Sequence, residues 1–115
     1  MRDPTAIRER YLRDELPVRL GGLAANLARI KSFSDHPAHR DVVETLVEES
    51  KFFIEWAAPE AELEVQARLV ELQLLLARWQ RRWEDIWADP VQRAAVAEQA
   101  HDWSKQVLEM SGLLR

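Results

Sequence analysis

Residues 60–88 read EAELEVQARLVELQLLLARWQRRWEDIWA, and this stretch decides the fold. Large apolar side chains recur in it at alternating spacings of four and three residues, which is the repeat of one face of an α-helix. The positions of this main stripe are Val65, Leu69, Leu72, Leu76, Trp79, Trp83 and Ile86. The pattern predicts one unbroken helix over about residues 60–88, roughly 43 Å long at 1.5 Å per residue.

A second apolar stripe runs along the same predicted helix, displaced by roughly 150° around its axis. Its members are Leu63, Ala67, Val70, Leu74 and Ala77. A helix that is apolar on two nearly opposite faces needs two partners. Either the N-terminal segment around Ile7, Tyr11 and Leu12 covers the second stripe, or the stripe is exposed and marks an interface. We expect a dimer interface.

Prolines mark the N-terminal helices. Asp3 and Pro4 predict a first helix over about residues 4–15, with Asp3 as its N-cap. Pro17 interrupts the helical pattern, because its ring clashes with the carbonyl four residues earlier. We therefore expect a kink or break at Pro17, followed by a longer helix over about 17–33.

Two more helices are predicted over about residues 38–57 and 90–111, and Gly112 is a suitable C-terminal cap. The connections are only a few residues long, so consecutive helices should be antiparallel neighbours. The expected fold is all-α: an antiparallel up-down four-helix bundle with the first helix kinked or broken at Pro17. It should form a single domain over residues 1–115.

The composition excludes several kinds of site. The chain has no cysteine, which removes disulfides, thiolate metal sites and cysteine nucleophiles. Its three glycines cannot form a glycine-rich phosphate loop or a nucleophile elbow. Glu98 and His101 have the spacing of a di-iron ligand pair, but their helical phase points them away from the core. We expect no cofactor, no metal and no catalytic residue, and therefore not an enzyme.

The charge is distributed unevenly. The net charge is −4, but residues 1–40 carry eight basic and five acidic side chains, whereas residues 41–71 carry two and nine. The simplest interpretation is complementarity between neighbouring helices. Arg78 and Arg81 should lie on or beside a solvent face, where they would suit a protein partner, and the negative net charge disfavours nucleic acid. With no signal peptide at the start and no apolar run of about 20 residues, we expect a cytoplasmic protein without a membrane partner.

Five tryptophans are many for 115 residues. Trp79, Trp83 and Trp103 occupy apolar stripes and should be core. Trp56 and Trp87 lie at the edges of stripes near helix ends, which makes them candidates for contact with a partner or a flat ligand, since tryptophan is enriched at interface hot spots.

These patterns favour a non-catalytic helical bundle that acts by protein–protein interaction, in an adaptor, assembly or regulatory role, as a homodimer. The residues expected at the interface are Leu63, Val70, Leu74, Arg78, Arg81, Trp56 and Trp87. The alternative is a small-molecule-binding or sensory bundle with a pocket beside Trp56 or Trp87, because helical bundles also hold ligands between their helices.

Overall fold

The computed structural model describes residues 4–113, and every regular element in that range is helical. The six α-helices are α1 (Pro4–Leu12), α2 (Leu16–Phe33), α3 (Arg40–Ala57), α4 (Leu63–Arg81), α5 (Trp83–Ala88) and α6 (Pro90–Ser111). Single 3-10 turns at Pro37–His39 and Ala58–Glu60 precede α3 and α4. The all-α class is confirmed, but there are six helices where the sequence predicted four. The predicted N-cap Asp3 lies outside the described residues.

The break before Pro17 is confirmed. α1 ends at Leu12, and α2 begins at Leu16 with Pro17 in its first turn, where a missing N–H costs no helical hydrogen bond. Glu15 precedes α2 in an extended conformation, with φ −68° and ψ 158°. The proline therefore starts α2 rather than bending one long helix.

The predicted unbroken helix over 60–88 is wrong. α4 begins only at Leu63, and the chain leaves helical geometry again at Arg82, where φ is −112° and ψ is 21°. The Arg82 N–H is shared between the carbonyls of Arg78 and Trp79, each at 3.2 Å. The break accompanies the burial of the two tryptophans of α5, and that burial offsets the interrupted helix.

The last helix has the bounds that its sequence predicts. The carboxylate of Asp89 accepts a hydrogen bond from the Val91 N–H at 2.9 Å, and Pro90 occupies the first turn. Gly112 ends the helix in the left-handed region, with φ 76°. Both signals are local, so they fix this helix independently of its packing.

α2 packs on α3 and α6, α3 also packs on α1 and α4, and α5 packs on α6. Small residues bring α2 and α6 together: the Ser104 hydroxyl donates to the Ala24 carbonyl at 2.8 Å. A Cβ added to Gly21 would lie 2.7 Å from Leu113 Cδ1. Among the tryptophans predicted as core, Trp79 and Trp83 are buried. Trp103 is only half-buried, and the guanidinium of Arg68 lies over its ring, 4.8 Å from the centroid.

A polar junction holds α1 against α3. The ring of Tyr11 stacks on Phe53 with centroids 4.0 Å apart, and its hydroxyl donates to the Arg19 carbonyl at 2.7 Å. The buried Arg19 guanidinium donates to the Asp14 carbonyl at 3.0 Å and to the Glu60 carboxylate at 2.7 Å. These contacts place α1 on α3 and therefore away from the second stripe of α4.

Candidate interaction surfaces

The second stripe of α4 is exposed. The exposed fractions are 80% for Leu63, 51% for Val70 and 57% for Leu74. Ala67 is exposed as well, and Ala77 is half-buried. The segment around Tyr11, which was the possible intrachain cover, packs on α3 instead. Of the two alternatives left by the sequence, cover by the segment around Tyr11 is therefore excluded, and among residues 4–113 the stripe is an uncovered apolar face.

The main stripe of α4 faces the core. Leu69, Leu72 and Leu76 have no exposed surface, and Trp79 is buried behind them. Because one side of α4 packs on α3, the residues half a turn away point to solvent. The exposed side chains are therefore a consequence of helical phase and not of local disorder in the helix.

Charge is polarised along α4. Glu62 and Glu64 lie at its start, and Arg78, Arg81 and Arg82 lie at its end. This order also suits the helix dipole, which favours acidic side chains near the N-terminus and basic ones near the C-terminus. The outer face of α4 is therefore an apolar strip with an acidic end and a basic end.

Arg78 and Arg81 also lie beside a groove. Together with Arg82 they border an open groove of about 580 Å³ between the α4–α5 corner and α6. We refer to it as the α4–α6 groove. Its other lining residues are Leu75, Trp79, Ile86, Gln92, Ala95, Val96 and Gln99. Within residues 4–113, none of the three guanidinium groups takes part in an ion pair.

Trp56 is half-buried beside a smaller cleft. Its ring stacks on Phe52 with centroids 5.4 Å apart and meets Tyr11 at 5.9 Å. The cleft has a volume of about 360 Å³, and its lining includes Phe52, Trp56, Glu48 and Glu49. The Glu49 carboxylate accepts a hydrogen bond from Asn26 at 3.1 Å. The cleft thus combines aromatic faces with carboxylates, which suits a cationic ligand.

Trp87 is not on the surface. It is buried, stacks on Trp83 with centroids 5.3 Å apart, and donates its indole N–H to the Pro37 carbonyl at 2.7 Å. The sequence placed it at the edge of a stripe, but the break at Arg82 turns α5 so that its indole reaches the turn before α3. Trp87 therefore stabilises the fold, and we remove it from the candidate interface.

The hydrogen bond to Glu60 raises the pKa of the Arg19 guanidinium. Besides Arg19, three ionisable groups of the described residues have shifted pKa values, and each shift has a structural cause. Burial raises the pKa of the Tyr11 hydroxyl above its ordinary range. The hydrogen bond from Arg19 lowers the pKa of Glu60. The side-chain hydrogen bond from Gln92, followed by the bond from the Val91 N–H, lowers the pKa of Asp89. All three groups stabilise helix junctions or caps, so their shifts do not indicate acid–base catalysis.

Within residues 4–113, no group of three or more histidine or carboxylate side chains is placed to hold a metal ion. Glu98 and His101 are both exposed on α6. His36 is used locally, since its Nδ1 accepts from the Ala38 N–H at 3.0 Å. In that same part of the chain, no helix has both the length and the apolar character that a membrane crossing requires.

Sequence reasoning did not find the α4–α6 groove. It assigned Arg78 and Arg81 to a solvent face without relating them to α6. Ala95 and Gln99 carry no signal of their own, because alanine and glutamine are common on exposed helix faces. The groove depends on how far α4 and α6 stand apart, which is a tertiary property.

No protein-family model, curated protein or solved structure matches this chain. The functional argument therefore rests on the surfaces described above.

Proposed function

We propose that this protein is a non-catalytic helical protein that acts through protein–protein contact, as a homodimer formed by the outer face of α4. The observation that carries the proposal is the exposure of Leu63, Val70 and Leu74 in one continuous strip. Contiguous exposed apolar strips on monomeric proteins are uncommon and usually mark an interface.

The polarity of α4 favours a second copy as the partner. If two α4 helices pair antiparallel, the acidic end of each strip meets the basic end of the other. A two-fold axis near residue 72 would set Val70 opposite Leu74 and Ala67 opposite Ala77 of the second copy. Over residues 67–77 large residues then meet large residues and alanines meet alanines, so this part of the strip is complementary to itself in the antiparallel register. In this register Arg81 would lie opposite Leu63, whose neighbours in the chain are Glu62 and Glu64, and Arg78 would lie opposite Gln66.

The expected dimer is modest in strength. One helix face per copy buries less surface than the roughly 1,200–2,000 Å² of a standard stable interface. We expect a dissociation constant in the micromolar range, as for other small and transient contacts, which suits a regulated or assembly contact. The predicted adaptor, assembly or regulatory role and the cytoplasmic location remain predictions within this proposal.

Light scattering after size exclusion tests the dimer. The wild-type protein should approach twice its monomer mass as its concentration rises through the micromolar range. Leu74→Glu should return it to the monomer without loss of helix content, because a charge at this position would be buried in the dimer and solvated in the monomer. Val42→Glu is the matched control, since Val42 is also an exposed apolar residue but lies on α3. A protein that remains monomeric at high micromolar concentration would refute the proposal.

The small-molecule alternative is supported by one observation, the cleft beside Trp56 and Phe52. With Glu48 and Glu49 in its lining, it would favour a ligand with a cationic group and an apolar body. Tryptophan fluorescence against a panel of metabolites tests it. A saturable shift that Glu48→Gln weakens would support this alternative, and the absence of a shift for every cationic compound would exclude it.

A further inference from the structure

The α4–α6 groove is a second surface, and among its lining residues the proposed dimer uses only Arg78 and Arg81. It lies between the C-terminal end of α4, the start of α5 and the first half of α6. Its α6 wall is formed by Gln92, Ala95, Val96 and Gln99, none of which belongs to the second stripe. A ligand in this groove would therefore contact α5 and α6, which a second copy docked on the stripe does not, and the two would share only Arg78 and Arg81.

The groove has an apolar floor. Trp79, Ile86 and Val96 form it from three different helices, and Leu75 extends it along α4. Trp79, Ile86 and Val96 also belong to the buried core. The floor is thus held rigidly by core packing, which is the arrangement that preorganises a binding site.

The α4 border of the groove is basic, and no carboxylate lines it. Arg78, Arg81 and Arg82 supply three guanidinium groups that have no ion-pair partner in the described part of the chain. Glu84 and Asp85 line a neighbouring cleft that Arg81 and Arg82 also border, but within residues 4–113 neither carboxylate forms an ion pair with these arginines, and Glu84 accepts from Arg40 at 2.9 Å. The three arginines are therefore available to an anion in the groove.

The groove suits a small molecule better than a helix of another protein. One turn of an α-helix with its side chains fills roughly 400 Å³, taking a cylinder about 10 Å wide and 5.4 Å long. The groove volume of about 580 Å³ holds little more than one such turn. Clefts of roughly 300–1,000 Å³ are typical of small-ligand sites.

We propose that the α4–α6 groove binds a long-chain carboxylate, with the carboxylate held by the arginines and the hydrocarbon chain lying on the apolar floor. A guanidinium binds a planar carboxylate through two parallel hydrogen bonds, which fixes the orientation of the head. The uncharged α6 wall leaves the chain in contact with Ala95, Val96 and the stems of the two glutamines. A purely polar ligand would leave the apolar floor uncovered, and a purely apolar ligand would leave the arginines without an anion.

Isothermal titration calorimetry of the full chain with dodecanoate, kept below its micelle concentration, tests the proposal. We expect one saturable site per chain. Dodecyltrimethylammonium, which has the same chain and a cationic head, should not bind there, and acetate, which lacks the chain, should not bind measurably. Equal binding of the cationic amphiphile that Ala95→Trp also weakens would overturn the proposal, as would the absence of dodecanoate binding.

Two pairs of variants locate the site. Ala95→Trp should fill the groove and weaken dodecanoate binding by about tenfold or more, whereas Ala94→Trp, on the neighbouring exposed position outside the groove, should not. Arg78→Gln/Arg82→Gln should weaken it by about tenfold, whereas Arg8→Gln/Arg13→Gln removes two exposed arginines elsewhere and should have no effect.

The arginine pair keeps the test decisive if circular dichroism shows that Ala95→Trp is misfolded. An equal loss in the groove variants and their controls would overturn the proposal, as would binding of an acidic helical peptide in the groove without any binding of dodecanoate. Light scattering of Ala95→Trp should show the same oligomeric state as the wild-type protein, so failure here and failure of the proposed dimer are separate results.

Discussion

The two faces of α4 carry similar residues and have opposite environments. Leu72 and Leu76 on the main stripe are completely buried, whereas Val70 and Leu74 on the second stripe are about half exposed. Both stripes have the same spacing, so periodicity alone does not separate them. The difference arises elsewhere, at the Tyr11–Arg19 junction, which commits α1 to α3 and leaves the outer face of α4 uncovered.

Alanine substitutions on the two faces of α4 should give the largest difference in the free energy of unfolding. Leu72→Ala should lower the free energy of unfolding by about 2–5 kcal/mol, because it leaves a cavity in a packed core. Leu74→Ala, measured on dilute monomer, should change it by less than about 0.5 kcal/mol, as at most surface positions. Urea denaturation followed by circular dichroism measures both, and similar losses for the two variants would show that the second stripe is core.

The junction that keeps α1 away from α4 should be the next most sensitive point. Arg19→Met retains most of the apolar stem but removes the donors to the Asp14 carbonyl and the Glu60 carboxylate. We expect a loss of about 2 kcal/mol in the free energy of unfolding, since the hydrogen bonds made by the buried Arg19 guanidinium are lost, each worth about 1 kcal/mol. Arg13→Met is a suitable control, because Arg13 is exposed. An unchanged stability for Arg19→Met would mean that the stacking of Tyr11 on Phe53 alone positions α1.

The two tryptophans of α5, Trp83 and Trp87, should differ by a smaller amount in their contribution to stability. Trp87 donates its indole N–H to Pro37, whereas the Trp83 indole N–H is the one buried side-chain polar atom without a partner among residues 4–113. Trp87→Phe should therefore cost about 1–2 kcal/mol more than Trp83→Phe, because only the first substitution removes a hydrogen bond. Thermal denaturation of the two variants gives the difference, and a larger loss for Trp83→Phe would contradict the assigned contacts.

Acid should gradually weaken the Arg19–Glu60 junction and the Asp89 cap of α6. We expect this loss of stability to be the smallest of the four effects predicted for these variants and conditions. The folded-state pKa values of Glu60 and Asp89 lie below their ordinary values of 4.5 and 3.8. Their contribution to stability is therefore complete above those values and is lost as the pH falls through the lower folded-state pKa values. Denaturation midpoints measured from pH 6 down to pH 3 should decline less in Glu60→Gln than in the wild-type protein. An identical decline in both would remove Glu60 from this account.

Local signals in the sequence predicted much of the fold. Asp89, Pro90 and Gly112 define α6 because caps and proline act within one turn of the helix. Pro17 likewise separated α1 from α2. The break at Arg82 has no such signal: neither proline nor glycine is near, and the reason lies in the packing of Trp83 and Trp87 against other helices.

Only part of the candidate interface could be predicted from the sequence, because the rest depends on tertiary packing. The second stripe follows from spacing, so Leu63, Val70 and Leu74 were identified from the sequence. Whether α1 would cover them depends on contacts between residues far apart in the chain, which no local pattern encodes. The burial of Trp87 and the existence of the α4–α6 groove are likewise tertiary results.

Cysteine cross-linking tests the central claim, the antiparallel pairing of α4, most directly. The chain has no native cysteine, so single substitutions report on one position each. A mixture of Ala67→Cys and Ala77→Cys proteins should form the mixed disulfide rapidly under mild oxidation. The two homodimeric disulfides should form slowly, because the antiparallel register separates like positions by roughly 15 Å along the helix. Preferential cross-linking of like positions, or no cross-linking at any position, would contradict the proposed dimer.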